Sequence, residues 1–203
     1  MKISLLSLIC QRLIKIAAVL SALFLASCTT SEQNVRDIKL FTSGWRFHLG
    51  DVSNASEPAY NDSAWRLLDL PHDWSIEGEF SEDHPATAGG GALPGGIGWY
   101  RKSFKLPLSQ KDNLTFIEFD GIYRNSEVWI NGNYLGKRPN GYISFCYELT
   151  PYLNFGDKLN VIAVKADNSQ QPNSRWYSGS GIYRNVRLVT TGKLHVNHWG
   201  TYI

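Results

Sequence analysis

Asn131-Gly132 constrains this chain more than any other pair of residues. On its N-terminal side, Val128 and Ile130 share one face and Glu127 and Trp129 the other, the two-residue period of a strand over residues 126–130. Asn-Gly supplies the two positive φ angles of a type I′ turn, so the chain has to fold straight back on itself. The segment before it sets Leu114, Phe116 and Glu118 against Thr115, Ile117 and Phe119 and reads as a second strand. Apolar residues on both faces of these strands imply a sheet covered on both sides, with the hairpin at its centre. Gly121-Ile122-Tyr123-Arg124-Asn125 recurs letter for letter as Gly181-Ile182-Tyr183-Arg184-Asn185. Because the flanks differ, we read two turns entering strands with similar demands rather than an internal duplication.

The other elements are short and separated by turn residues. Residues 44–49, 99–106, 159–166 and 183–189 have strand character. So do residues 142–149, with Ile143, Phe145, Tyr147 and Leu149 expected to face inward. Residues 150–153 suit a turn or a single helical turn, and residues 167–174 a polar loop. Residues 75–98 hold glycines 78, 89, 90, 91, 95, 96 and 98 and show neither a strand nor a helix pattern. They lack the Lys-Ser/Thr ending of a phosphate-binding loop. With no amphipathic helix of any length, the pattern is that of an all-β sandwich.

The N-terminus has a different chemistry. Lys2, Arg12 and Lys15 precede an uncharged, mostly apolar run over residues 16–26. That run is shorter than the roughly 20 residues an ordinary transmembrane helix needs and fits a secretory signal. Leu25-Ala26-Ser27-Cys28 resembles the bacterial lipoprotein box, in which the cysteine becomes the acylated first residue. Residues 1–28 are therefore expected to be a lipoprotein-type signal with Cys28 as lipidation site, the other reading being an uncleaved anchor. Either way the domain faces an exported compartment, the periplasm or the cell surface. Loss of Cys10 and lipidation of Cys28 leave Cys146 alone, so no disulfide forms within the mature chain. Residues 29–38 read as a polar tether. The net charge of +2 comes without a basic tract, so nucleic acid is not an expected partner. Aromatic residues make up 13% of the chain, with 7 Trp and 10 Tyr, a composition compatible with a sugar-binding surface as well as a plain core.

Several motifs, taken in order, resemble the N-terminal domain of glycoside hydrolase family two, the β-galactosidase family. They run from Leu70-Pro71-His72-Asp73-Trp74 through Gly98-Trp99-Tyr100-Arg101 and Phe119-Asp120-Gly121 to Val128-Trp129-Ile130-Asn131-Gly132. Gly141-Tyr142, Phe145, Leu149-Thr150, Asn160-Val161 and Asp167-Asn168 follow, and Ser174-Arg175-Trp176-Tyr177-Ser178-Gly179-Ser180-Gly181-Ile182-Tyr183-Arg184 closes the series. The resemblance implies a galactose-binding-like jelly roll over residues 39–190, then an immunoglobulin-like domain, of which residues 191–203 look like the start, then a catalytic TIM barrel. Retaining glycosidases use two carboxylates about 5–5.5 Å apart. In this family both lie on the barrel, so no catalytic residue is expected in this chain, and the chain alone is expected to be inactive. The acids Glu77, Glu79, Glu82 and Asp83 read as a solvated loop.

What the resemblance assigns to this domain is recognition of a terminal β-galactoside beside the barrel mouth. The candidate substrate-binding residues are Asp73, Arg175, Trp176 and Tyr177. Arg175 offers a planar fork of donors to sugar hydroxyls, and Trp176 and Tyr177 offer apolar faces with polar edges. An ion pair of Arg175 with Asp73 or Asp167 is an equal alternative, and Trp176 suits a core position better. Arg101, Trp129 and Arg184 read as structural, and Asp120 and Asn125 as turn caps. No metal-ligand cluster or cofactor motif is visible, although family members can use Mg²⁺ or Na⁺. The competing readings are a β-glucuronidase or β-mannosidase of the same family, and a stand-alone carbohydrate-binding lipoprotein.

Overall fold

A computed structural model of the chain describes residue 15 and residues 36–201. It divides into two units, 1–34 and 35–203, and the fold below is that of the second. Apart from residue 15, the signal segment with Cys28 lies outside the described residues, as do residues 29–35, Tyr202 and Ile203.

Among the described residues, ten strands make two antiparallel sheets. The smaller has the order β1 (Arg36–Leu40), β10 (Val186–Thr191), β5 (Leu114–Phe119), β8 (Phe145–Glu148). The larger has the order β3 (Arg66–Leu68), β2 (Trp45–Leu49), β4 (Gly96–Phe104), β9 (Asn160–Asn168), β6 (Ser126–Ile130), β7 (Asn133–Arg138). The alternation foreseen in β5 is present, with Thr115, Ile117 and Phe119 fully buried. Ile117 and Phe119 join Val186 and Leu188 from the same sheet, and Val128, Ile130, Ile162 and Val164 from the other, in one core. The architecture is a β-sandwich.

The hairpin turn is as the sequence requires: φ is 50° at Asn131 and 80° at Gly132. Asn131 also reaches out of the turn. Its carboxamide donates to the Asn160 side chain (2.8 Å) and the Tyr152 carbonyl (2.7 Å), and accepts from the Val161 N–H (2.8 Å). The hairpin is not central, however. β6 lies between β9 and the edge strand β7, and the middle of the sheet is the nine-residue β4–β9 ladder. Nor do β5 and β6 share a sheet, because residues 120–125 carry the chain from one to the other. The two-sided apolar pattern reflects burial on both faces of the larger sheet. A second cluster of Ala55, Trp65, Trp99 and Ala163 lies on its outer side, and Trp129 stacks on Trp99 at 5.4 Å.

Other boundaries shift for local reasons. β8 is only four residues long, and Ile143 is 52% exposed rather than inward. The N–H groups of Tyr142 and Ile143 donate to the Asn140 side chain at 2.8 and 3.3 Å instead of a strand ladder. β4 starts at Gly96, inside the stretch read as structureless, and β9 runs on to Asn168. Single 3₁₀ turns occupy Ser75–Glu77 and Ala88–Gly90. β1 takes in residues 36–38, at the end of the expected tether.

The repeated pentapeptide has a structural use. Tyr123 and Gly181 exchange backbone hydrogen bonds of 2.9 and 2.7 Å, so the two copies meet as a pair. Ile122 and Ile182 are both fully buried beside this bridge, and the Asp120 N–H donates to the Asn185 carbonyl at 3.0 Å. One copy leads into β6 of the larger sheet and the other into β10 of the smaller, so the pair joins the two sheets at one end of the sandwich.

Candidate functional site

That junction sets out the loops that carry the sequence-predicted residues. The segment before β10 runs antiparallel to residues 72–74: the His72 N–H donates to the Ile182 carbonyl (2.8 Å) and the Trp74 N–H to the Ser180 carbonyl (3.2 Å). Asp73, between them, is half-buried and accepts from the N–H groups of Ser180 (2.8 Å) and Ser75 (3.0 Å) on one oxygen. Its other oxygen accepts from the Tyr177 hydroxyl. Burial and this hydrogen bond push the Tyr177 phenol well above its ordinary range, so the proton stays on the oxygen. Asp73 and Tyr177 are therefore brought together, as the far end of one short loop and its clasp.

Asn168, at the end of β9, holds the same loop from beneath. Its buried carboxamide donates to the Gly179 carbonyl (3.0 Å) and the Ser180 hydroxyl (2.8 Å) and accepts from Asn173 (2.7 Å). With residues 173 and 177–180 held, residues 175 and 176 form the tip. Arg175 is exposed and pairs with no carboxylate among the described residues. The alternative of an ion pair fails for a physical reason. Asp73 is occupied by Tyr177, Ser75 and Ser180, and Asp167 accepts from Ser169, N–H at 3.0 Å and hydroxyl at 2.6 Å.

Trp176 is 61% exposed, which overturns its expected place in the core. Its indole N–H donates to the Tyr142 hydroxyl at 3.1 Å, and Tyr142 packs edge-on against Tyr123 at 5.4 Å. A cavity of about 240 Å³ opens beside this aromatic set, lined also by Arg124, Asn140 and Asn173. The tip thus presents a guanidinium fork and an indole face, groups suited to hydroxyls and to the C–H face of a ring.

Sequence reading missed the network behind Asp73. His72, only 9% exposed, has Nδ1 2.7 Å from the Tyr100 hydroxyl and Nε2 3.2 Å from Glu77. Burial lowers the imidazole against the raising pull of Glu77, so the ring is neutral near pH 7. Glu77 is not one of a uniformly solvated run. Burial opposes its charge, but the Arg66 guanidinium at 2.8 Å outweighs that and lowers the carboxyl below its ordinary value. The local signal for this was His72 next to Asp73; its partner Tyr100 is too distant in sequence to be inferred. Arg101 has the structural role expected of it, buried against Asp62 at 2.8 Å, and the Asn125 carboxamide donates to the Asp167 carbonyl at 3.1 Å. Asp120 differs from the expected turn cap: its carboxylate accepts from the Arg187 side chain at 2.6 Å. The described residues also contain a metal-ligand type of cluster that sequence reading did not see, Glu118, Cys146 and His198.

Comparison with known proteins bears on the family and the fold. The family profile described as "Glycosyl hydrolases family 2, sugar binding domain" matches residues 83–192. The β-galactosidase BoGH2A of Bacteroides ovatus is 57% identical over 180 residues, 88% of this chain and 21% of the relative. A putative β-glucuronidase of Formosa agariphila is 48% identical over 155 residues, 76% of this chain and 15% of the relative. The crystal structure of a β-glycosidase from Bacteroides vulgatus superimposes with a TM-score of 0.73 at 54% identity, covering 76% of this chain and 20% of that one. The chain therefore spans about a fifth or less of the length of these relatives. It belongs to glycosyl hydrolase family 2 and carries that family's sugar-binding domain.

Proposed function

We propose that the chain supplies the sugar-recognition loop of a β-galactosidase-like glycosidase, with the reacting carboxylates contributed by a barrel domain. The observation that carries the reading is the exposed Arg175–Trp176 tip on a loop clasped by Asp73 and Asn168, since rigidly supported loops are where binding residues concentrate. The 57% identity to a β-galactosidase supports the substrate class. The 48% identity to a putative β-glucuronidase keeps a second reading open, in which Arg175 faces a sugar carboxylate instead of hydroxyls.

The test is Arg175→Ala in the full-length enzyme, assayed with chromogenic β-galactosides and β-glucuronides and paired with thermal unfolding. Losing a charge-assisted hydrogen bond to substrate costs about 1.5–3 kcal/mol, a drop in kcat/KM of roughly ten- to a hundred-fold. Because Arg175 has no ion pair to lose among the described residues, the melting temperature is expected to hold. Unchanged kinetics on both substrate classes would remove Arg175 from the recognition surface. A loss confined to β-glucuronides would favour the second reading.

An exported, lipid-anchored location through Cys28 belongs to the same proposal. Its support is the Leu25-Ala26-Ser27-Cys28 box after an apolar run. Since one acyl chain binds a membrane only marginally, stable anchoring requires several at that residue. Cys28→Ala is expected to move the protein out of the membrane fraction; retention there with normal leader cleavage would disprove the anchor.

A further inference from the structure

On the outer face of the smaller sheet, Glu118 of β5 and Cys146 of β8 are direct cross-strand partners. Both are half-buried and project away from the core that their neighbours Ile117, Phe119 and Phe145 enter. The segment after β10 lies across this face. Its Val196 carbonyl accepts from Arg36 at 2.6 Å, and its His195 ring packs on Phe116 at 5.7 Å. These contacts set His198 over the Glu118–Cys146 pair, with Nδ1 2.9 Å from the Glu118 carboxylate. One ligand atom from each of the three side chains lies within 4.8 Å of the other two. Next to them is a cavity of about 510 Å³, lined by Cys146, His198 and Trp199 among others.

We infer that Glu118, Cys146 and His198 form a binding site for a borderline divalent transition-metal ion, Zn²⁺ foremost. The donor set is the reason. Thiolate, imidazole and carboxylate together suit Zn²⁺ and its neighbours, whereas Mg²⁺ and Ca²⁺ select oxygen alone. Three protein ligands leave a fourth tetrahedral position open to water, which the adjoining cavity has room to hold. Bond lengths of about 2.0–2.3 Å put tetrahedral ligand atoms roughly 3.3–3.8 Å apart, so no pair has to close by more than about 1–1.5 Å. That movement falls to His198, on a connecting segment, while Glu118 and Cys146 are held by the β5–β8 ladder. The His198 Nε2 atom is buried with no hydrogen-bond partner among the described residues, a cost that ligation at that atom would relieve.

Proton balance follows from the ligands. Cysteine ligates a metal as the thiolate, and an ordinary thiol, with a pKa of about 8.5, carries its proton at neutral pH. Binding M²⁺ forms an S–M bond and releases the thiol proton to solvent; no oxidation takes place. Affinity is therefore expected to rise with pH.

The experiment uses the full chain carrying Cys10→Ser and Cys28→Ser, which leaves Cys146 as its one thiol. Co²⁺ titration is expected to produce a near-ultraviolet thiolate-to-cobalt charge-transfer band that Zn²⁺ abolishes by displacement. Adding Cys146→Ser should remove the band. His198→Ala and Glu118→Gln should each weaken binding by at least about tenfold, a scale that even outer-ligand partners reach. Saturating Zn²⁺ should also protect Cys146 from alkylation, a readout that needs no variant at the three ligands. No band with millimolar Co²⁺ and no protection by Zn²⁺ would overturn the site. So would a band of unchanged affinity in both His198→Ala and Glu118→Gln.

Discussion

Gly181→Val is expected to lower the unfolding free energy of this domain by about 2–6 kcal/mol, enough to unfold it under mild conditions. Two independent effects add. Gly181 has φ +112°, a conformation β-branched residues do not tolerate, and strain of that kind costs about 1–3 kcal/mol. A Cβ there would also lie 2.2 Å from the Tyr100 hydroxyl and 3.0 Å from the His72 backbone oxygen. Tyr100 is fully buried and hydrogen-bonded to His72, so it has nowhere to retreat, and overpacking of this sort costs a further 1–3 kcal/mol or so. The sum is a large part of the roughly 5–15 kcal/mol that holds a typical domain together. Gly89→Ala is the control, because a Cβ there meets only the Thr87 hydroxyl at 3.9 Å. Calorimetry on the two variants checks the argument. An unchanged melting temperature for Gly181→Val would mean that the junction between the repeated pentapeptides is not rigid.

Arg101→Ala is expected to cost about 3–5 kcal/mol, the scale for removing one partner of a buried ion pair. The guanidinium is 1% exposed and lies 2.8 Å from Asp62. It also donates to the carbonyls of Ala55, Glu57 (3.1 Å) and Tyr60 (3.4 Å), so one side chain ties the loop before β3 to the central strand β4. Lysine should not rescue it, because an ammonium cannot reach four acceptors spread in a plane as a guanidinium fork does. Comparing Arg101→Ala, Asp62→Ala and the double variant by denaturant unfolding isolates the pair. Additive effects would show that the bonds to the loop carbonyls, not the carboxylate, set the loss.

Where a structural demand is satisfied within a few neighbouring residues, it was legible before any coordinates. The Asn131-Gly132 turn depends on the φ preferences of two adjacent residues, and the buried face of β5 on a two-residue period. The family resemblance was also visible, because it rests on motifs in a characteristic order, and that resemblance implied one site for Asp73 and the 174–181 segment. Where local signals compete, the reading slipped. Residues 142–144 alternate like a strand, yet the Asn140 side chain takes two of their N–H groups and turns the backbone aside.

What only the tertiary structure decided are partnerships between distant residues. Apolar faces on β5 and β6 do not say which sheet each strand joins, since either assignment buries the same side chains; the crossover at 120–125 settles that. The two copies of Gly-Ile-Tyr-Arg-Asn pair through backbone atoms, which carry no sequence signal. Arg175 pairs with no carboxylate among the described residues because Asp73 is already filled by Tyr177 and two N–H groups, and Trp176 is exposed because both ends of its loop are held below it. Glu118, Cys146 and His198 come from three elements whose meeting depends on the β5–β8 register and on the path of the chain after β10. Local periodicity determines which face of an element is buried. Which elements then meet is set by how the whole chain satisfies its apolar surface and its backbone hydrogen bonds together, and no short stretch of sequence contains that information.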